Sequence, residues 1–256
     1  MGKTMYAVAN RTHEKAVAFA EKYGIAKVYD SIDEVFVDEK VDIIYITTPH
    51  NTHYKFMKAA LENGKHILVE KSITLNSREL DEIISLADEK QLIVAEAMTI
   101  WHMPLYKKLW EIIRNGDLGK VQMITINFGS FKEYNMENRF FNMNLAGGAM
   151  LDIGVYALSI VRSFMDKKPE EIVSQRKVSP TGSDEQATIV DAETGAKKEI
   201  DCGCTADALQ YELTDMEQAV SRQNADDMKL AFSKDVMDIM TEIRKDWNMK
   251  YPGEDW

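Results

Sequence analysis

Between residues 5 and 114, short apolar runs rich in β-branched residues alternate with amphipathic segments, and no other feature restricts the fold as much. Residues 5–9, 27–29, 42–47, 67–69 and 92–95 read as strands. Helices are expected over 13–23, around Ile32, Val35 and Phe36, over 52–63, from Ser77 through Ala87, and from Pro104 through Ile113. Thr12, Ser31 and Ser77 are the expected N-caps, and Gly24, Gly64 and Gly116 the stops. Strands alternating with helices in this way make βαβ units and a doubly wound parallel sheet. Right-handed crossovers put the strand ends along one edge, where ligands bind in such sheets. Asn10-Arg11, residues 48–53, Glu70-Lys71 and residues 96–98 are therefore expected around one crevice, with Lys71 delivered there by a rigid strand.

Near residue 118 the pattern changes, which divides the chain into 1–118 and 119–256. Strands are expected over 121–131, 172–178, 186–190 and 196–201, with Glu193-Thr194-Gly195 as a hairpin turn. A helix is expected from about Met150 to Met165, and two more over 209–222 and 226–247.

Composition excludes several classes. The net charge of -11 argues against a nucleic-acid surface, which needs a basic face. An apolar run of about 18 residues is not seen, so no membrane partner is expected. Cys202 and Cys204, the only two cysteines, sit too close for a staple, and with no apolar leader they point to a cytoplasmic setting. The fifteen methionines are core filler. His50 and His53 lack a third ligand nearby in sequence, so no metal is expected.

Five stretches in this order resemble the Gfo/Idh/MocA oxidoreductases: Thr47-Thr48-Pro49-His50-Asn51-Thr52-His53, Glu70-Lys71 after its strand, residues 147–156 from Gly147 to Tyr156, residues 181–186, and the tail Lys250-Tyr251-Pro252-Gly253-Glu254. Tyr156 looks closest to the branch with dimeric dihydrodiol dehydrogenase and NADP-dependent D-xylose dehydrogenase. The resemblance implies an α/β fold: a Rossmann NAD(P)-binding domain, then an α/β domain whose open, mainly antiparallel sheet carries the substrate face and joins a homo-oligomer. It implies hydride transfer between NAD(P) and a CH–OH group of a sugar, polyol or dihydrodiol. By resemblance Lys71, Asp152 and Tyr156 are the catalytic residues, and His102 joins them around the substrate. Asn10, Arg11, Thr48, Pro49, Asn51, His53, Glu70 and Lys71 are the implied cofactor contacts.

The chemistry has a physical reading. A hydroxyl proton must leave with the hydride, so a general acid/base is required. Tyr156 fits that role if the Lys71 ammonium favours its phenolate, and Asp152, four residues earlier, shares its helical face. Arg11 stands where NAD-specific folds carry an acid that binds the ribose, which favours NADP over NAD. Two departures stand out. Ser72 replaces the proline that normally follows Glu-Lys, which is expected to loosen Lys71. No G-x-G-x-x-G turn precedes Met5, and strands of the second domain are expected to be lacking after Cys204. On that reading the chain resembles an oxidoreductase without its first βα unit and binds dinucleotides weakly. The alternative is a non-catalytic relative that binds a sugar or a partner.

Overall fold

The computed structural model describes residues 5–121, 123–190 and 207–255. Its first half runs β1 (Ala7–Val8), α1 (His13–Tyr23), β2 (Lys27–Val28), α2 (Asp33–Val37), β3 (Ile43–Ile46), α3 (His50–Glu62), β4 (His66–Glu70), α4 (Ser77–Lys90), β5 (Val94–Ala97), α5 (Thr99–His102) and α6 (Pro104–Arg114). The second half holds a π-helical turn (Met150–Gly154), α7 (Val155–Phe164), β6 (Val173–Val178), β7 (Asp184–Val190), α8 (Ala208–Arg222) and α9 (Leu230–Asp246). The expected alternation is present.

All strands of the first half pair in parallel, but in two sheets: β1 with β2, and β3-β4-β5. β4 is central, and its three apolar residues are fully buried on opposite faces. Ile67 and Val69 belong to the larger core with Met57 and Leu61 of α3, Leu80 and Ile83 of α4, and Met240 and Ile243 of α9. Leu68 faces the other way, packing with Ala95 and Ala97 of β5 and with Met216 and Ala219 of α8. Each such side chain contributes about 1.5–3 kcal/mol on burial. β4 is therefore held from both sides, and so is the Lys71 that follows it.

Several local expectations need correction. Asn76, not Ser77, caps α4: its side chain accepts from the Glu79 amide at 3.1 Å, while the Ser77 hydroxyl pairs with Thr241. Thr12 stands at the N-cap of α1 but makes no side-chain cap bond. α3 begins at His50, directly after Pro49. The last helical stretch breaks at Lys229, whose φ of 56° is left-handed, so α9 starts at Leu230.

Residues 123–131 form no strand. A strand needs a partner for its backbone groups. Among the described residues only β6 and β7 pair in this half, antiparallel, and Phe131 is 97% exposed. The expected strand over 196–201, its turn at 193–195, and both cysteines lie outside the described residues. The stretch Met143–Phe164 is long and apolar enough to cross a membrane by composition. Here α7 packs along α9, and the π turn before it takes a lysine at its centre.

Candidate functional site

Lys71 leaves β4 and reaches the π turn. Its ammonium donates to the Asp152 backbone carbonyl and pairs with Asp152 Oδ1 at 3.1 Å, both side chains being about 15% exposed. The same ammonium stands 4.9 Å from the centre of the half-buried Tyr156 ring. The three implied catalytic residues thus converge from β4, the π turn and the first turn of α7. A π turn tilts backbone carbonyls away from the regular ladder, and here two of them are taken by β4's continuation: Asp152 O by Lys71 and Leu151 O by the Ser72 hydroxyl at 2.9 Å. Ser72 is fully buried. The expectation that it loosens Lys71 is therefore corrected, because its hydroxyl ties the strand end to the turn carrying Asp152.

Tyr156 also departs from expectation. Burial, and then the Glu70 carboxylate, push its phenol up to about 12. Lys71 lies against the ring while its charge is engaged by Asp152, so the side chain rests as a neutral phenol.

Two glycines let the π turn sit this close. A Cβ on Gly147 would stand 2.5 Å from the Arg139 carbonyl oxygen. A Cβ on Gly148, whose φ is +147°, would stand 2.2 Å from Asp184 Oδ1. Asp184 of β7 is buried and accepts from the Met150 amide at 2.6 Å, at the start of the turn. Burial raises its carboxyl to about 6.

Asp152, Gly148 and Phe140 form the wall between two cavities, each of about 290 Å3. The first opens at the ends of β3 and β4, where Thr48, Pro49, His50, Glu70 and Lys71 line it. The second lies toward β6 and β7, against Lys132, Tyr134, Lys177 and Glu185. A larger cavity of about 760 Å3, between residues 124–130, α7 and β7, touches none of the three converging side chains except through their neighbours.

The remaining expected contacts divide. Thr48, Pro49, Glu70 and Lys71 do line the first cavity. His53 is buried behind it, its ring nitrogens 2.8 Å from Thr48 O and 2.9 Å from Ser72 O, bracing the two strand ends together. Asn51 instead donates to the Asn144 carbonyl at 3.0 Å. Asn10 and Arg11 line neither cavity; Asn10 accepts from the Thr12 amide and Arg11 is exposed. His102 lines none of these three cavities and is buried against Asp215 of α8, Nδ1 to Oδ2 2.8 Å. His50 is kept neutral by burial, its pKa lowered to about 4. Among the described residues no three His, Cys, Asp or Glu side chains gather as metal ligands.

Sequence reasoning missed Glu212. It is fully buried on α8, and neither carboxyl oxygen has a hydrogen-bond partner among the described residues. Burial and the nearby Glu70 raise it to about 8. A signal existed, since Glu212 precedes Met216 and Ala219 by four and seven residues and so occupies the buried stripe of α8.

The first cavity opens at parallel strand ends, where ligands bind in such sheets, and Thr48, Glu70 and Lys71 line it. The class these features define is that of oxidoreductases with an NAD-binding Rossmann fold, and residues 2–98 match the family model so described. Residues 106–215 match the Gfo/Idh/MocA C-terminal domain. The chain belongs to the Gfo/Idh/MocA oxidoreductase family. It is 33% identical over 195 residues to trans-1,2-dihydrobenzene-1,2-diol dehydrogenase of Xenopus laevis, covering 76% of this chain and 58% of that one. It is 34% identical over 180 residues to D-xylose 1-dehydrogenase (NADP(+)) of Hypocrea jecorina, covering 64% and 46%. The chain spans about half the length of the curated relatives it matches. Among solved structures, a 3-ketoreductase from Actinomadura kijaniata in complex with NADP and TDP-benzene superposes with a TM-score of 0.74 at 17% identity, covering 94% of this chain and 89% of that one. An aldose-aldose oxidoreductase from Caulobacter crescentus complexed with glycerol gives 0.73 at 16%, covering 94% and 88%. At such identities the likeness is one of fold.

Proposed function

We propose that the chain transfers a hydride between NADP, or NAD, and the carbon of a CH–OH or carbonyl group on a sugar, polyol or dihydrodiol. The observation that carries this is that Lys71 and Asp152 pair at the first cavity, Asp152 also lining the second, while the Tyr156 ring packs against the Lys71 ammonium at 4.9 Å. Family membership and the dehydrogenase relatives support it.

The nicotinamide, when bound at the strand ends, supplies or accepts the hydride. Lys71 holds the reacting oxygen and stabilises negative charge there. Asp152 fixes the ammonium and offers its second oxygen to a substrate hydroxyl. Tyr156 donates a proton to the oxygen when a carbonyl is reduced and takes one back when the alcohol is oxidised. Its raised pKa keeps the phenol protonated, as the donor role requires. The division of the chain near residue 118, a cytoplasmic setting and assembly through the β6–β7 sheet belong to the same proposal. Half-exposed Val173 and Val178 on β6 support the assembly.

Reduced-cofactor absorbance, followed with NADPH and NADH against a panel of sugars, ketoses and diols, tests the reading. Lys71→Ala and Tyr156→Phe are expected to lower kcat by about 10²–10⁴-fold. Near-native turnover in both variants would overturn the assigned roles. Sugar binding without turnover in the native chain would favour a non-catalytic relative.

A further inference from the structure

Phe140 lines both cavities, and two cations flank its ring. Lys132 Nζ stands 4.2 Å from the ring centre and the Arg139 guanidinium 4.3 Å. The two charges are therefore within about 9 Å of each other, comparable to one Debye length at physiological salt. Arg139 lines the cavity at the strand ends, and Lys132 the one toward the antiparallel sheet. Among the described residues neither forms an ion pair. In a chain with a net charge of -11, two adjacent cations without a counter-ion are unusual.

The carboxylates around these cavities are already engaged. Asp152 holds Lys71, and Glu70 accepts from the Tyr45 hydroxyl at 2.6 Å. Glu185 pairs with Lys177 at 2.5 Å and accepts from Tyr134 at 2.8 Å. Asp184 accepts from the Met150 amide. The side-chain charge left without a partner is positive and lies on one spot. The aromatic ring holds both cations beside the wall shared by the two cavities.

We propose that Lys132 and Arg139 form an anion-binding subsite next to Lys71 and Asp152, and that the substrate is an acidic sugar or polyol carrying a carboxylate or phosphate. The inference rests on the oxidoreductase reading for the word substrate, but not for the binding itself. The anion belongs to the substrate because Lys132 faces the cavity on the sheet side, away from the strand ends.

The test measures binding to the full chain by calorimetry, at constant ionic strength, with glucuronate, glucose and NADPH. The native chain is expected to bind glucuronate at least about tenfold tighter than glucose, the equivalent of one charge-assisted contact. Arg139→Gln and Lys132→Gln should each weaken glucuronate about tenfold and leave glucose unchanged, and Lys132→Gln, which lies outside the strand-end cavity, should leave NADPH unchanged. Arg139 is exposed and Lys132 half-buried, and matching circular-dichroism spectra will show that the variants fold. Equal binding of glucuronate and glucose, no binding of either, or variants that weaken NADPH instead of glucuronate would each overturn the proposal; the last would assign the anion to the cofactor. Turnover plays no part in this measurement. Selective glucuronate binding without turnover would leave the subsite standing and sink the oxidoreductase reading alone.

Discussion

Replacing Glu212 by glutamine isolates one buried carboxyl and its effect on stability. Glu212 is fully buried, with Glu70 and the Tyr45 side chain nearby and no hydrogen bond within normal geometry among the described residues, and its pKa rises from 4.5 to about 8 on folding. Below about pH 4.5 both states carry the proton. Between that value and 8 the unfolded chain releases it while the folded chain keeps it, so the unfolded state binds fewer protons and stability falls as pH rises. Each unit of pKa difference is worth about 1.4 kcal/mol, which bounds the loss at about 5 kcal/mol. Water entering the ionised site reduces it, so a difference of about 1–4 kcal/mol is expected. Glu96 and Asp184 are also raised by burial, to about 7 and about 6, and add slope of the same sign. Comparing native and Glu212→Gln chains removes that shared part. Urea unfolding followed by tryptophan fluorescence from about pH 5 to about pH 9 reads the difference. The glutamine variant should lose much less stability over this range than the native chain. Parallel pH profiles would refute the assignment of a proton-binding Glu212.

Three other perturbations probe the frame around Lys71. Gly148→Ala would drive a methyl to 2.2 Å from Asp184 Oδ1, and the bond from Met150 stops Asp184 from retreating; a loss of about 2–4 kcal/mol is expected in urea unfolding, and native stability would contradict the close approach. Ser72→Ala removes the hydroxyl bond to Leu151 O, so stability should fall by about 1–2 kcal/mol. An unchanged midpoint for that variant would show that the tie carries nothing. Arg244→Met leaves Glu254 buried without the guanidinium that meets both of its oxygens at 2.9 Å; thermal unfolding should reveal a cost of about 3–5 kcal/mol, and a smaller one would mean that the tail is held by packing around Tyr251.

What the amino-acid order determined on its own was periodic or local. The alternation of β-branched runs with amphipathic helices specified parallel βαβ units, because side-chain period and helix capping act within a few residues. Gly24 could be read as a helix stop, and its φ of 69° agrees. Lys71 could be placed at a strand end, and Asp152 and Tyr156 on one face four residues apart. Only the tertiary structure decided the rest, because each outcome depends on neighbours distant in sequence. Residues 123–131 have the composition of a strand but no strand pairing. His102 could not be given its neighbour from the sequence, since Asp215, which holds its ring nitrogen, lies on α8. Ser72 looked like a weakness until Leu151 supplied an acceptor. The proton affinity of Tyr156 depended on how far it was buried and on Glu70, since burial opposes charge whatever the neighbouring residues in sequence are. The chain's local pattern chose the scaffold, and long-range packing chose the protonation states and partners of the groups it carries.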